Sequence, residues 1–141
     1  MLYKKKVLFI CTGNSCRSQI AEGLLKFLGK EKFEVFSAGS HPSKLNLHAI
    51  KVMEEIGIDI SGQKSEGIKL FRNTGIDILI TVCDKANNHC PIFPGQIERI
   101  HWSIKDPFVS WNYDPDQLEN FRTTRKIIKT KINEFLKIRS L

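Results

Sequence analysis

Cys11 is followed six positions later by Arg17 and then by Ser18, within the run Cys11-Thr12-Gly13-Asn14-Ser15-Cys16-Arg17-Ser18. A thiol attacks well only as thiolate, and nearby positive charge and N–H donors favour that form. An arginine presents a planar fork that holds two oxygens of a tetrahedral anion. A short polar loop running into a helix adds backbone N–H groups aimed at the same point. Residues 12–18 therefore read as an oxyanion cradle, with Cys11 as nucleophile, Arg17 as clamp and Ser18 as a donor to the sulfur. The chemistry this predicts is attack on phosphate or on an oxyanion of the same shape. Of the four cysteines only Cys11 has an arginine at that spacing. Cys16, inside the loop, points into the start of the helix and is expected to pack.

A second constellation is Cys83-Asp84-Lys85-Ala86-Asn87-Asn88-His89-Cys90-Pro91, two cysteines seven positions apart in a polar stretch. Loop thiols beside Lys85 and His89 are expected to be exposed and electrostatically assisted. Thiol–disulfide exchange with Cys11 is their natural use. It requires the loop to move, because bridged cysteines need Cα atoms within about 7 Å. Two alternatives stand beside it. The pair could simply fill space, or Cys83, His89 and Cys90 could hold zinc with a distant His48 or His101 as fourth ligand. Asp106-Pro107 supplies a carboxyl group that could move a proton to or from an oxygen in the cradle. As a dipeptide it is also a common turn. Trp102 and Trp111, flanking it, are expected to pack, and His41, His48 and His101 to be structural.

These residues need a scaffold. Val7–Ile10 reads as a buried strand, followed by a helix from Arg17 that buries Ile20, Leu24, Leu25 and Leu28 and stops at Gly29. Phe33–Ala38 reads as a second strand. Asn46 caps a second helix that uses Leu47, Ile50, Met53 and Ile56 and ends at Gly57. Between Ile58 and Gly75 only a short helix near Ser65–Phe71 is expected. The β-branched run Ile76–Val82 has the apolar continuity of a central parallel strand. An irregular loop from Cys83 to Gly95 precedes a short strand, Ile97–Trp102. Asp114 caps and Pro115 opens a long final helix burying Leu118, Phe121, Ile128, Ile132 and Phe135. Alternating strands and helices predict one α/β domain over residues 1–141, a four-stranded parallel sheet with helices on both faces. Ligands of such sheets bind beyond the carboxyl ends of the strands, where the Cys11, Cys83 and Asp106 loops all open.

The chain has 141 residues and a net charge of +7. Between Asp116 and Arg139 seven basic residues stand against three acidic ones, which on an amphipathic helix is a solvated face. The basic residues are not interleaved with aromatics, so a nucleic-acid module is not indicated. The apolar stretch after the basic N-terminus is too short for a signal-peptide core, and none approaches a membrane span. A cytoplasmic protein is expected, in which four cysteines point to catalysis, redox work or metal.

C-T-G-N-S-C-R-S at 11–18, S-A-G at 37–39, V-C-x6-C-P at 82–91 and H-W-x3-D-P at 101–107 together resemble the thioredoxin-coupled arsenate reductases. These share the fold of the low-molecular-weight protein tyrosine phosphatases, and the resemblance covers essentially the whole chain. It implies that Cys11 attacks arsenate, Arg17 holds the oxyanion, and Ser18 with Asn14 tunes the thiolate. Asp106 would be the general acid. Cys83 would then attack Cys11, releasing arsenite, and Cys90 would resolve the disulfide to Cys83–Cys90, which thioredoxin or a glutaredoxin system reduces. Phosphate and sulfate would act as substrate mimics, residual phosphatase activity is implied, and a monomer with no tightly bound cofactor is expected. Some members bind potassium beside the loop, at positions matching Asn14, Glu22, Ser37 and Glu66, the last commonly Asp. Phe108 is a second departure, since reductases often carry a small residue there and phosphatases place aromatics near this loop. A phosphatase is the alternative enzyme, and a non-catalytic redox or phosphate sensor the alternative outside enzymes.

Overall fold

Val7, Leu8, Phe9 and Ile10 are fully buried, and apolar side chains on both faces of a strand are satisfied only inside a sheet covered on both sides. In the computed structural model, which describes residues 3–88 and 93–139, they form the centre of β1 (Lys5–Cys11). Flanking β1 are β2 (Phe33–Gly39) and β3 (Ile78–Thr81), with β4 (Glu98–His101) outside β3. The order is β2-β1-β3-β4 and every pairing is parallel. This is the α/β sheet expected from the alternation of patterns.

Residues of opposite parity on β2 show what covers each face. Phe33 meets Phe135 of α4 (Leu118–Arg139), ring centroids 5.6 Å apart. Phe36 points the other way and meets Phe71, in the 3-10 turn Ile68–Phe71, at 5.3 Å. α1 (Arg17–Leu28) packs against α4 and β2, and the rings of Phe9, Trp102 and Phe135 continue that core across the sheet. No helix among the described residues is long and apolar enough to cross a membrane.

Several elements differ from the sequence reading, each for a local reason. Gly29 ends α1, but with φ −82°, and the left-handed residue is Lys30 at φ 51°. What demands glycine at 29 is space, because a Cβ there would lie 2.7 Å from the Leu25 carbonyl oxygen. α2 (Leu47–Glu54) buries His48, Ala49, Val52 and Met53, and leaves Leu47 exposed. A helix this short cannot settle its buried stripe by apolar spacing alone, and two hydrogen bonds draw His48 inward. The segment after β3 is not all loop, since α3 spans Asp84–Asn88. The last helix begins at Leu118, after a 3-10 turn Pro115–Gln117 that Asp114 caps by accepting from Asp116 N. His89, Cys90, Pro91 and Ile92 lie outside the described residues.

Candidate active site

β1, β3 and β4 run parallel, so the segments leaving their carboxyl ends open on one side, as the topology predicts. A cavity of about 180 Å³ is lined by Cys11, Thr12, Gly13, Arg17, Asp106 and Trp111, among others. A larger cleft, about 670 Å³, is lined by Thr12, Arg17 and Asp106 together with Cys83 and Lys85. Cys11, Arg17, Asp106 and Cys83 therefore share one surface. Cys90 cannot be placed on it, being outside the described residues.

The loop after Cys11 is shaped by its neighbours. The carbonyls of Cys11, Thr12, Gly13 and Ser15 accept from the N–H groups of Ser40, His41, Ser43 and Asn46 at 2.8–3.2 Å. Tying these carbonyls outward leaves the loop's N–H groups for an anion. Asn14 takes a left-handed conformation, φ 48°, which asparagine tolerates better than most residues. Gly39 sits directly behind it. A Cβ there would come within 2.5 Å of the Thr12 carbonyl oxygen and 2.8 Å of Asn14 N.

The Cys11 sulfur is buried, 2.9 Å from Ser18 Oγ and 3.2 Å from Asn14 N, which donates to it. Asn14 Nδ2 donates both to Ser18 Oγ at 2.8 Å and to Ser37 Oγ at 2.9 Å. Ser18 thus accepts from Asn14, and its own proton is left for the sulfur. Burial pushes the Cys11 thiol up. The Ser18 hydroxyl and amide, Arg17 and the Asn14 amide pull the other way. Cys16 is also buried, and burial pushes its thiol up to about 12, so it is no nucleophile at neutral pH. Arg17 donates from Nη1 to the Ile104 carbonyl at 2.9 Å and reaches Asp106 Oδ2 from Nη2 at 3.4 Å. The clamp and the carboxyl group are thus already in register.

Cys83 differs from expectation, being buried where an exposed loop thiol was predicted. It precedes α3, and its sulfur accepts from Ala86 N at 3.3 Å, in the manner of a helix-capping side chain. The same sulfur lies 3.4 Å from Thr12 Oγ1 in the cradle loop. Trp102 is core, as expected, but Trp111 lines the Cys11 cavity. Its ring stands edge-on to Phe108 with centroids 4.9 Å apart, and the Lys44 ammonium lies 4.9 Å from its centroid. Among the described residues no three His, Cys, Asp or Glu side chains gather to hold a metal ion.

Some supporting residues carry no signal in the sequence. Buried Gln19 donates from Nε2 to the Asn14 carbonyl and to that of Lys64. Buried His48 meets Asn46 Oδ1 through Nδ1 and accepts the Asp114 N–H at Nε2, tying α2 to the chain beyond Trp111. Behind the loop, Ser37 Oγ donates to Glu22 Oε1 at 2.6 Å, and Lys26 Nζ pairs with Glu22 Oε2. Asn14 Oδ1 accepts from Glu66 N. The side-chain oxygens of Asn14, Ser37 and Glu22, three of the four residues matched to a potassium site, are therefore engaged with protein donors, and the Glu22 charge is neutralised by Lys26. As arranged, this set does not fit an additional cation.

The profile of the family described as low molecular weight phosphotyrosine protein phosphatase matches residues 6–140. An arsenate reductase of Halalkalibacterium halodurans is 43% identical over 133 residues, 94% of this chain and 95% of its own. A solved arsenate reductase in the phosphate binding state superposes with a TM-score of 0.78 at 40% identity, covering 94% of this chain and 97% of its own. A thioredoxin-dependent arsenate reductase of Corynebacterium glutamicum superposes with a TM-score of 0.75 at 27% identity, covering 95% of this chain and 61% of its own.

Proposed function

The chain belongs to the low molecular weight phosphotyrosine protein phosphatase family, and within it we propose that this protein reduces arsenate to arsenite for arsenate detoxification. The observation that carries the reading is the Cys83 sulfur 3.4 Å from Thr12 Oγ1. A second thiol at the rim of an oxyanion cradle is of no use to phosphate hydrolysis, and it is what a reductase needs. The similarity to arsenate reductases over nearly the full chain supports the same reading.

In the proposed reaction, Arg17 and the amides of residues 12–18 hold arsenate, and the Cys11 thiolate attacks arsenic. Asp106 gives a proton to the departing oxygen, which leaves as water. The Cys83 thiolate attacks the Cys11 sulfur, and the S–As electron pair returns to arsenic, which leaves as arsenite. The new S–S bond joins Cys11 to Cys83. Cys90 attacks Cys83, frees the Cys11 thiolate and completes a Cys83–Cys90 disulfide. An external dithiol, thioredoxin in this proposal, restores both thiols. Two thiols are thus oxidised for each arsenate reduced, which fits a compartment kept reducing, the cytoplasm. A potassium ion at Asn14, Glu22, Ser37 and Glu66 would have to displace the Lys26 ammonium, so no step uses one.

The test is NADPH oxidation by the purified protein with arsenate, thioredoxin and thioredoxin reductase, repeated with Cys90→Ser. Arsenate-dependent turnover that disappears in the variant is the expected result. Absence of turnover in the wild type, with glutaredoxin tried as well, overturns the reading. One observation favours a side activity on aryl phosphates. The Phe108 and Trp111 rings wall the Cys11 cavity, offering a flat apolar surface to an aromatic leaving group.

A further inference from the structure

α3 is only five residues long, too short to persist without tertiary support. Beside the burial of Ala86, part of its support among the described residues is a set of hydrogen bonds at the ends of two neighbouring strands. Thr81 and His101, the last residues of β3 and β4, are paired in register. Thr81 Oγ1 donates to Asn87 Oδ1 at 3.1 Å, near the end of α3. His101 Nδ1 lies 2.7 Å from the same Thr81 Oγ1, and His101 Nε2 lies 2.8 Å from Asp84 Oδ1, at the start of α3. Bonds from His101 and from Ser103 hold the Asp84 carboxyl below the ordinary carboxylate range. His101 is therefore the hub that pins both ends of α3 to the sheet, one end directly and the other through Thr81.

What this network positions is the Cys83 sulfur. The sulfur is bonded to Ala86 N within α3 and lies against Thr12 of the cradle. Departure of the Cys83 sulfur from α3 breaks the Ala86 bond and so loosens the first turn. Asp84, the next residue in the chain, is where that loosening begins.

We propose that His101, with Asp84 and Thr81, is a positioning latch that keeps Cys83 docked on α3, and that its opening sets how readily Cys83 leaves to attack. The link to turnover rests on the arsenate reductase reading; the latch itself does not.

The experiment is residue-resolved alkylation of the fully reduced protein, following Cys11 and Cys83 separately by mass spectrometry, with no arsenate present. The variants are Asp84→Ala, which removes an exposed carboxylate, and His101→Ala, with Asp84→Glu as the conservative control. Losing about 1.4 kcal/mol of local stability multiplies a local opening constant about tenfold. The expected result is therefore Cys83 alkylation about tenfold faster in both alanine variants, Cys11 alkylation within twofold of wild type, and a return toward wild type in Asp84→Glu. Unchanged Cys83 alkylation in Asp84→Ala overturns the latch. So does a parallel rise at Cys11 and Cys83, which would report general loosening. If the latch results hold but no variant and no wild-type sample reduces arsenate, the latch stands and the reductase reading falls.

Discussion

Burial pushes the Cys11 thiol up, and the groups that pull the other way can be tested singly. Ser18 Oγ is oriented by Asn14, so that its proton faces the sulfur. Ser18→Ala removes a bond that favours thiolate. The pH at which iodoacetamide alkylates Cys11 should then rise by about one unit, with the fold unchanged by circular dichroism. Cys83→Ser makes the converse separation: arsenate turnover should fall to background while hydrolysis of a small aryl phosphate stays within twofold, since Cys11, Arg17 and Asp106 are untouched. Joint loss of both activities in a folded protein would show that the two thiols do not have separate roles. At this scale the nucleophile and its clamp were legible because both lie in one loop, where spacing alone states the geometry. The Glu22–Ser37–Asn14 chain behind them was not derivable from spacing, because only the pairing of β1 with β2 and the packing of α1 bring those residues together. The matching positions came instead from the family resemblance, as a cation site, and their engagement with Lys26 appeared only in three dimensions.

The elements carry their own electrostatics. Glu55, just beyond α2, accepts from Arg122 Nε and Nη2 and from Arg125 Nη1, both on α4. The Arg122 bonds, with Arg125 adding to them, hold the Glu55 carboxyl at about 2 rather than its ordinary 4.5. A depressed carboxylate contributes stability above its unfolded pKa and loses it as pH falls through the folded one. The clamp between α2 and α4 should thus be complete above about pH 4.5 and lost on approach to pH 2. Glu55 is about one-third exposed, so solvent screening limits the contribution to about 1 kcal/mol. Glu55→Gln should lose that much in urea unfolding at pH 7 and should flatten the stability curve between those pH values; an unchanged acid limb would remove the clamp from the account. Long elements with several turns of pattern, α1 and α4, were legible from apolar spacing. α2 was legible in its place and its Asn46 cap but not in its buried stripe, and α3 was not legible at all, since a single buried hydrogen-bonding side chain, His48 in one and the Cys83 sulfur in the other, outweighs so short a pattern.

For the whole molecule, the cradle is a product of the sheet, since the ends of β1 and β2 and the chain at 40–46 all bond to its backbone. An anion bound there stabilises every element that builds it. A ligand at one hundred times its Kd adds about 2.7 kcal/mol, which for a domain of this size is roughly 8 °C in Tm. Phosphate should therefore raise the Tm of the wild type by that order, and Arg17→Lys, which loses the planar fork, should abolish most of the rise. The alternation that made the sheet readable says nothing of how closely two of its strand ends approach, and that is what Gly39 reports. With the Thr12 carbonyl and Asn14 N inside 3 Å of any added Cβ, Gly39→Ala must push the cradle loop aside even if the sheet tolerates it. Gly62→Ala, where nothing lies within 4 Å, is the matched control. Calorimetry with and without phosphate should find the rise intact in Gly62→Ala and lost in Gly39→Ala. A full phosphate shift in Gly39→Ala would mean that the anion site does not depend on the close approach of β2 to the loop after β1.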